Sequence, residues 1–290
     1  MENDELKREI EHYYRLSNKS SGTFDLGNEK IKKAYIDEAL KNSTGTEIYK
    51  IIEKYHPNPQ GVKLLDAGCG LGGIIVACES RNIKAVGIDI DKDAIAIARK
   101  RVKNPENILI ADGENLPFEN NSFDIATSIV TIEHVKNSRK YLSEAFRVLK
   151  NNGIFIIYAP NYLFPWEGHY KTIWFPYLLP YTKFIFRLYL TLKNKNTEFL
   201  NAINFKITPG YLKRLLKITG FKNVQNISIE RFLEKLENPS KIANPGLENI
   251  VMKFKKNRVL SLFLKIFVSS LKITKLYHPV IFTARAKKYD

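Results

Sequence analysis

Residues 62–91, VKLLDAGCGLGGIIVACESRNIKAVGIDID, set two carboxylates around four glycines. Gly68, Gly70, Gly72 and Gly73 let a backbone turn tightly and approach a ligand with no Cβ in the way. Gly68, Gly70 and Gly73 satisfy the dinucleotide spacing G-x-G-x-x-G, and Asp89 follows about 20 residues on, as that fingerprint requires. The glycines alone therefore leave two cofactor classes open. Asp66 separates them: two residues before the first glycine, its carboxylate repels a pyrophosphate and attracts a ligand carrying an ammonium and a sulfonium. S-adenosylmethionine is such a ligand.

These groups need a scaffold, and the flanking residues supply it. Val62, Leu64 and Leu65 form an apolar strand, and a helix from Ile74 to Glu79 turns its first N–H groups toward the glycines. VGIDID is a second strand, followed by the helix DKDAIAIARKRV with Asp91 or Asp93 as its cap. NILIA and FDIATSIV are further strands, SRKYLSEAFRVLK is an amphipathic helix, and GIFIIYAP is the fully apolar strand that a buried parallel sheet requires. Strands alternating with helices predict an α/β fold with a doubly wound, mostly parallel sheet. Upstream, residues 3–56 read as helices interrupted by the turn-rich SNKSSGTF. They form a helical collar on the sheet, or a lid whose Tyr13 or Tyr14 covers the cofactor.

The run LLDAGCGLGG, VGIDID, ADGENLPF, FDIATSIVTIEHV, EAFRVLKNNGIFIIYAPN resembles the class I S-adenosylmethionine-dependent methyltransferases, in particular small-molecule methyltransferases with a D-x-G-C-G-x-G signature. Five collinear segments over about residues 60–161 carry the resemblance. It implies a seven-stranded Rossmann-like sheet, with TPGYLKRLLKITGFKNV as the helix before an antiparallel strand pair and HPVIFTARAKK as the returning final strand. It also implies cofactor contacts. Asp66, Gly68 and Gly70 would hold the methionine part, Asp89 the ribose hydroxyls, Ile90 the adenine ring, and Asp112 the adenine amino group, with Gly113 and Ile129 beside them. Two simpler readings compete, a helix cap for Asp89 and a self-capped turn for Asp112.

Methyl transfer from a sulfonium is an in-line displacement on an activated carbon, so the protein chiefly aligns the acceptor and excludes water. No metal is required. A hydroxyl acceptor benefits from a base, and the candidates are His134 in TIEHV and His169 in PWEGHY, the latter with Glu167 as an orienting partner.

Composition bounds the rest. The chain has 290 residues, two cysteines and a net charge of +16. Two cysteines, Cys69 and Cys78, exclude a disulfide framework and a cysteine metal site and fit a reducing cytoplasmic setting. The charged start MENDELKREIEHYY and the absence of a long apolar run argue against secretion and membrane spanning. Residues 161–290 hold 23 Lys and Arg against 7 acids, whereas residues 1–60 hold 10 against 11 and residues 61–160 hold 13 against 12. The basic excess is local.

It coincides with two apolar helical segments. Residues 182–194 place Lys183, Arg187, Thr191 and Asn194 in one stripe and apolar side chains elsewhere, and Arg258, Ser261, Lys265, Ser269 and Lys272 repeat the design. Such helices pack against the sheet or lie on an anionic membrane surface. A phosphate groove wants exposed cations rather than aliphatic faces, which disfavours nucleic acid.

The predicted organisation is an N-terminal helical segment over residues 1–60, an S-adenosylmethionine-binding core over 61–161, an aromatic and basic acceptor cap over 162–207, and a C-terminal part over 208–290 that completes the sheet. The predicted activity is methylation of a small-molecule or lipid-linked acceptor, with a hydroxyl oxygen receiving the methyl group, in the cytoplasm or on the inner face of its membrane. Methylation of RNA is one rival, and non-catalytic cofactor binding on a membrane is another.

Overall fold

A computed structural model of the chain describes residues 2–21, 29–59, 61–165, 167–170, 172–174, 176, 181–237, 262, 266, 270–271 and 273–288. Three helices, α1 (Glu2–Ser21), α2 (Glu29–Lys41) and α3 (Ser43–Tyr55), precede the sheet. The sheet is built from β1 (Lys63–Ala67), β2 (Lys84–Asp89), β3 (Ile108–Ile110), β4 (Phe123–Ile129), β5 (Leu149–Ala159), β6 (Lys222–Asn226) and β7 (Val280–Ala286). Helices α4 (Gly73–Glu79), α5 (Lys92–Arg101), α6 (Ser138–Val148), α7 (Thr182–Leu192), α8 (Pro209–Thr219) and α9 (Ser228–Glu237) complete the described elements.

The strand order is β3-β2-β1-β4-β5-β7-β6, parallel except for β7, which runs antiparallel to both β5 and β6. The predicted seven-stranded, doubly wound sheet is therefore present, and the closing strand falls where HPVIFTARAKK was expected. Alternation along each strand feeds two cores. Leu65, Phe155 and Ile157 face α6 and α8 on one side, while Leu64, Ile154 and Ile156 face Ile48, Ile52 and Ile75 of α3 and α4 on the other. A third, separate cluster joins Ile10 of α1, Ile36 and Ala39 of α2, and Ile97 of α5.

Three local expectations change. Helix α1 continues through Ser21, across the first part of SNKSSGTF, because no glycine or proline breaks it before Gly22. Helix α6 ends at Val148, since Leu149 already pairs with Phe123 in the sheet. Helix α7 stops at Leu192, and Asn194 lies beyond it in a left-handed conformation with φ of 52°.

The segment between β5 and α8 extends the core on the α6 and α8 side of the sheet. Trp174 packs on Phe205 at 4.8 Å between ring centroids and donates its Nε1–H to Phe164 O at 2.8 Å. Phe186 and Leu190 of α7 are buried there, whereas Phe184, Leu188 and Leu192 are exposed. The helix is thus split between packing and solvent. Leu262, Ile266 and Ile273, described residues of the second basic segment, are exposed as well. The stripe of Arg258, Ser261, Lys265, Ser269 and Lys272 lies outside the described residues. Among the described residues no helix is long and apolar enough to cross a membrane.

Candidate active site

Strand order reverses between β1 and β4, and open α/β sheets place their ligand crevice beyond the carboxyl ends of the strands at that point. A cavity of about 1150 Å³ opens there. Every site residue expected from the sequence lines it: Asp66, Gly68, Gly70, Asp89, Ile90, Asp112, Gly113, Ile129, His134 and His169.

The glycine turn is fixed by sterics and by Asp89. Gly68 has φ of +86°, and a Cβ there would lie 2.3 Å from the Thr131 side chain. Gly70 has φ of +49°, and a Cβ on it would meet nothing within 4 Å, so its backbone borders open space. Asp89 Oδ2 accepts the Gly70 N–H at 2.8 Å, and Oδ1 accepts the Asp91 N–H at 3.0 Å. Both oxygens are thereby aimed, each with further accepting capacity. Asp91 caps α5, accepting from the N–H groups of Asp93 and Ala94, so Asp89 is not the cap. The next residue after Asp89, Ile90, is 71% exposed, an apolar platform at the cavity edge.

Asp66 lies deeper, 2% exposed, and Thr127 donates its hydroxyl to Asp66 Oδ1 at 2.8 Å. Burial pushes its carboxyl up to about 7, against the pull of Thr127. Asp112 accepts the Glu114 N–H at 2.8 Å, so it does cap its own turn while lining the cavity. Tyr13 of α1 donates its hydroxyl to Asp91 Oδ2 at 2.9 Å and, with Tyr14 and Ser17, walls the cavity. Burial, reinforced by Asp91, raises the Tyr13 phenol well above its ordinary value.

A further part of the cavity wall is built by the β4–α6 loop and the segment after β5. Val130, at φ of 53°, begins that loop, a strained conformation for a β-branched residue. The strain sits where the chain leaves β4 for Thr131, Glu133 and His134, all of which line the cavity. His169 Nδ1 is 2.7 Å from Glu167 Oε1, and the His134 and His169 rings meet edge to face at 5.1 Å. Burial would raise the Glu167 carboxyl, but the His169 hydrogen bond and charge hold it below its ordinary value. His134 is pulled down to about 4 by burial and then by His169. Glu133, fully buried, is pushed up to about 7 by burial.

Glu133 and Thr127 are site residues that sequence reasoning missed, and the Tyr13 bond to Asp91 is a contact it did not anticipate. Glu133 stands next to a singled-out histidine in TIEHV, and the adjacency of two ionisable groups beyond a strand end was the available signal. No local pattern marks Thr127 as the partner of Asp66.

Residues 65–157 match a family described as a methyltransferase domain. The chain is 30% identical over 176 residues to the sterol 4-C-methyltransferase strm-1 of Caenorhabditis elegans, covering 56% of this chain and 51% of that protein. It is 27% identical over 209 residues to the demethylmenaquinone methyltransferase of Staphylococcus aureus, covering 68% of this chain and 84% of that protein. Its fold is similar to that of phosphoethanolamine N-methyltransferase 2 of Haemonchus contortus, solved with S-adenosyl-L-methionine, at a TM-score of 0.50 and 22% identity over 83% of this chain and 52% of the other. The chain spans about half the length of the first of these relatives.

Proposed function

We propose that this member of the class I S-adenosylmethionine-dependent methyltransferase family methylates a hydroxyl oxygen of a small, lipid-soluble acceptor taken from a membrane surface. The observation that carries the reading is one cavity lined by two chemically distinct sets of groups. Carboxylates and open glycine backbone make up the set that suits the donor, and a Glu167-held histidine belongs to the set that suits the acceptor.

The residues fit the methyl donor. Asp89 has two backbone-anchored oxygens for a ribose diol, Gly70 borders space that a Cβ would narrow, and buried Asp66 is a carboxylate in need of a cation. Exposed Ile90 and the self-capped Asp112, with Gly113 and Ile129, suit the adenine. When bound, S-adenosylmethionine supplies an activated methyl group open to in-line displacement. The chain's own task is then alignment, exclusion of water and management of one proton.

Tyr13 and Tyr14 close the donor end against solvent. At the other end Glu167 accepts from His169 Nδ1, which leaves the Nε2 lone pair to take the acceptor's hydroxyl proton. Half-buried and neutral, His134 packs against that ring and confines the acceptor. Residues 61–161 thus hold the donor, and residues 162–207 cap the acceptor.

Membrane capture is supported by α7. Phe184, Leu188 and Leu192 are exposed at helical spacing, with Tyr181 beside them and Lys183 and Arg187 on the same helix. The local basic excess favours an anionic surface. The similarity to a sterol and to a demethylmenaquinone methyltransferase is consistent with a lipidic acceptor.

The experiment is calorimetry with S-adenosylmethionine, followed by transfer of a labelled methyl group into a lipid extract and, separately, into total RNA. Failure to bind the donor ends the enzyme reading, and label in RNA alone ends the lipid one.

A further inference from the structure

Three side chains with ligand atoms meet at the acceptor end. Glu133 is fully buried, and neither of its carboxylate oxygens has a hydrogen-bond partner among the described residues. His134 Nδ1 is 3.2 Å from Ala202 O. A carbonyl only accepts, so this nitrogen carries the ring proton. The same holds for His169 Nδ1 against Glu167 Oε1. Both rings therefore keep the Nε2 lone pair for the cavity.

The three side chains converge. His134 Nε2 is 3.9 Å from Glu133 Oε1, and one ligand atom from each of Glu133, His134 and His169 lies within 4.8 Å of the other two. A fully buried carboxylate without a donor, beside two half-buried imidazoles, is unfavourable unless a proton or a cation supplies the missing partner. We infer that Glu133, His134 and His169 bind one divalent first-row transition ion, of the zinc class, beside the methyl-donor pocket.

Two imidazoles and one carboxylate form a donor set suited to zinc, cobalt or ferrous iron rather than to calcium or magnesium. Metal–ligand bonds of about 2.0–2.2 Å bring ligand atoms to roughly 3–3.5 Å apart around an ion, so a closure of about 1 Å completes the set. The outer groups are already in place. Ala202 O and Glu167 tie the far nitrogen of each ring, the arrangement that fixes tautomer and ring angle in histidine metal sites. Three protein ligands leave a position open to the cavity, and an oxygen-bearing acceptor is the chemical class that would fill it.

This inference rests on the methyltransferase reading and changes one role in it: a His169 Nε2 lone pair that holds the ion cannot also take the acceptor's proton, so the ion would instead acidify the hydroxyl it binds, and that proton would pass to solvent in the cavity. Methyl transfer itself does not demand a metal, so the geometry is the warrant.

The test titrates the chelator-treated full chain with Co²⁺ alone, reading stoichiometry by calorimetry and coordination by visible absorption, with Zn²⁺ as competitor. S-adenosylmethionine binding is measured on the same samples and reports a native fold. The expected result is one Co²⁺ per chain, displaced by Zn²⁺. His134→Ala and His169→Ala weaken it about 100-fold, and Glu167→Gln, which removes no ligand, about tenfold. No stoichiometric Co²⁺ uptake by the unaltered chain overturns the inference. So does uptake undiminished in His134→Ala and His169→Ala chains that still bind the donor. If one histidine variant misfolds, the other and Glu133→Gln decide. Co²⁺ bound at these residues without donor binding would sink the methyltransferase reading and leave the ion site standing; donor binding without Co²⁺ would do the reverse.

Discussion

Thr127 on β4 donates its hydroxyl to Asp66 on β1 across 2.8 Å, inside the sheet and 61 residues away in sequence. The carboxylate it holds has nothing else to recommend its burial. With its pKa raised to about 7 by desolvation, Asp66 is protonated in the free protein below neutrality and ionised above it. A ligand ammonium requires the ionised form. Donor affinity is therefore expected to rise with pH up to about 8 and to be accompanied by proton release near pH 6, seen as a buffer-dependent heat in calorimetry. Asp66→Asn removes that pH dependence.

The same shift has the opposite sign for stability. An unfolded Asp ionises near 3.9, so the folded state holds its proton more tightly and loses relative stability as pH rises from about 4 through 7. Without ligand, Asp66→Asn should stabilise the protein at pH 8 by about 2–4 kcal/mol. Chemical denaturation at pH 5 and pH 8 checks this, with the two proteins converging at the lower pH.

Gly68 and Gly70 separate folding from binding. Gly68→Ala forces a Cβ to 2.3 Å from Thr131 at a positive φ and is expected to cost about 2–4 kcal/mol. Gly70→Ala meets open space and should cost only about 1–2 kcal/mol, from its φ of +49°. Its effect falls on the ligand. Thermal melts and donor titrations of the two variants should therefore rank them in opposite orders.

His169→Ala is expected to lower methyl transfer at saturating donor by about 10²–10⁴-fold while leaving donor affinity within twofold or so. Glu167→Gln keeps the ring but loses the charge that orients it, and should fall between the variant and the parent. Single-turnover rates and donor binding, measured together, make this distinction.

Phe184→Ser with Leu188→Ser removes two exposed apolar side chains from α7, each capable of about 1.5–3 kcal/mol on burial. Flotation on anionic vesicles should drop sharply in that double variant while donor binding stays intact. Added salt should weaken binding of the parent, because the cations of this region act at the surface.

The sheet and the donor end were legible because their signals are local. Buried parallel strands read as apolar runs, Gly68 and Gly70 mark a turn that other residues resist, and Asp89 ends a strand. The acceptor end was not, because its order is tertiary. Glu133 is fully buried and its backbone oxygen accepts the N–H of Asn204, 71 residues on, and Val130 is a residue type that argues against its own φ. Helix α7 carries apolar residues on nearly every side, so its periodicity could not say that Phe186 faces the core and Phe184 the solvent. The Tyr13 contact to Asp91 spans 78 residues and leaves no trace in spacing.

The third hydrophobic cluster has a kinetic meaning. Ile10, Ile36, Ala39 and Ile97 form a small core apart from the two that sandwich the sheet, and Tyr13 and Tyr14 pack against it. The wall that α1 lends to the cavity is held by this cluster, the Tyr13 bond to Asp91 and the ion pairs Glu9–Lys100 and Glu11–Lys32, contacts that can open at a free energy below that of global unfolding. In the proposed enzyme, entry of fresh donor and departure of spent cofactor would then run past Tyr13 and Tyr14, far in sequence from the histidines.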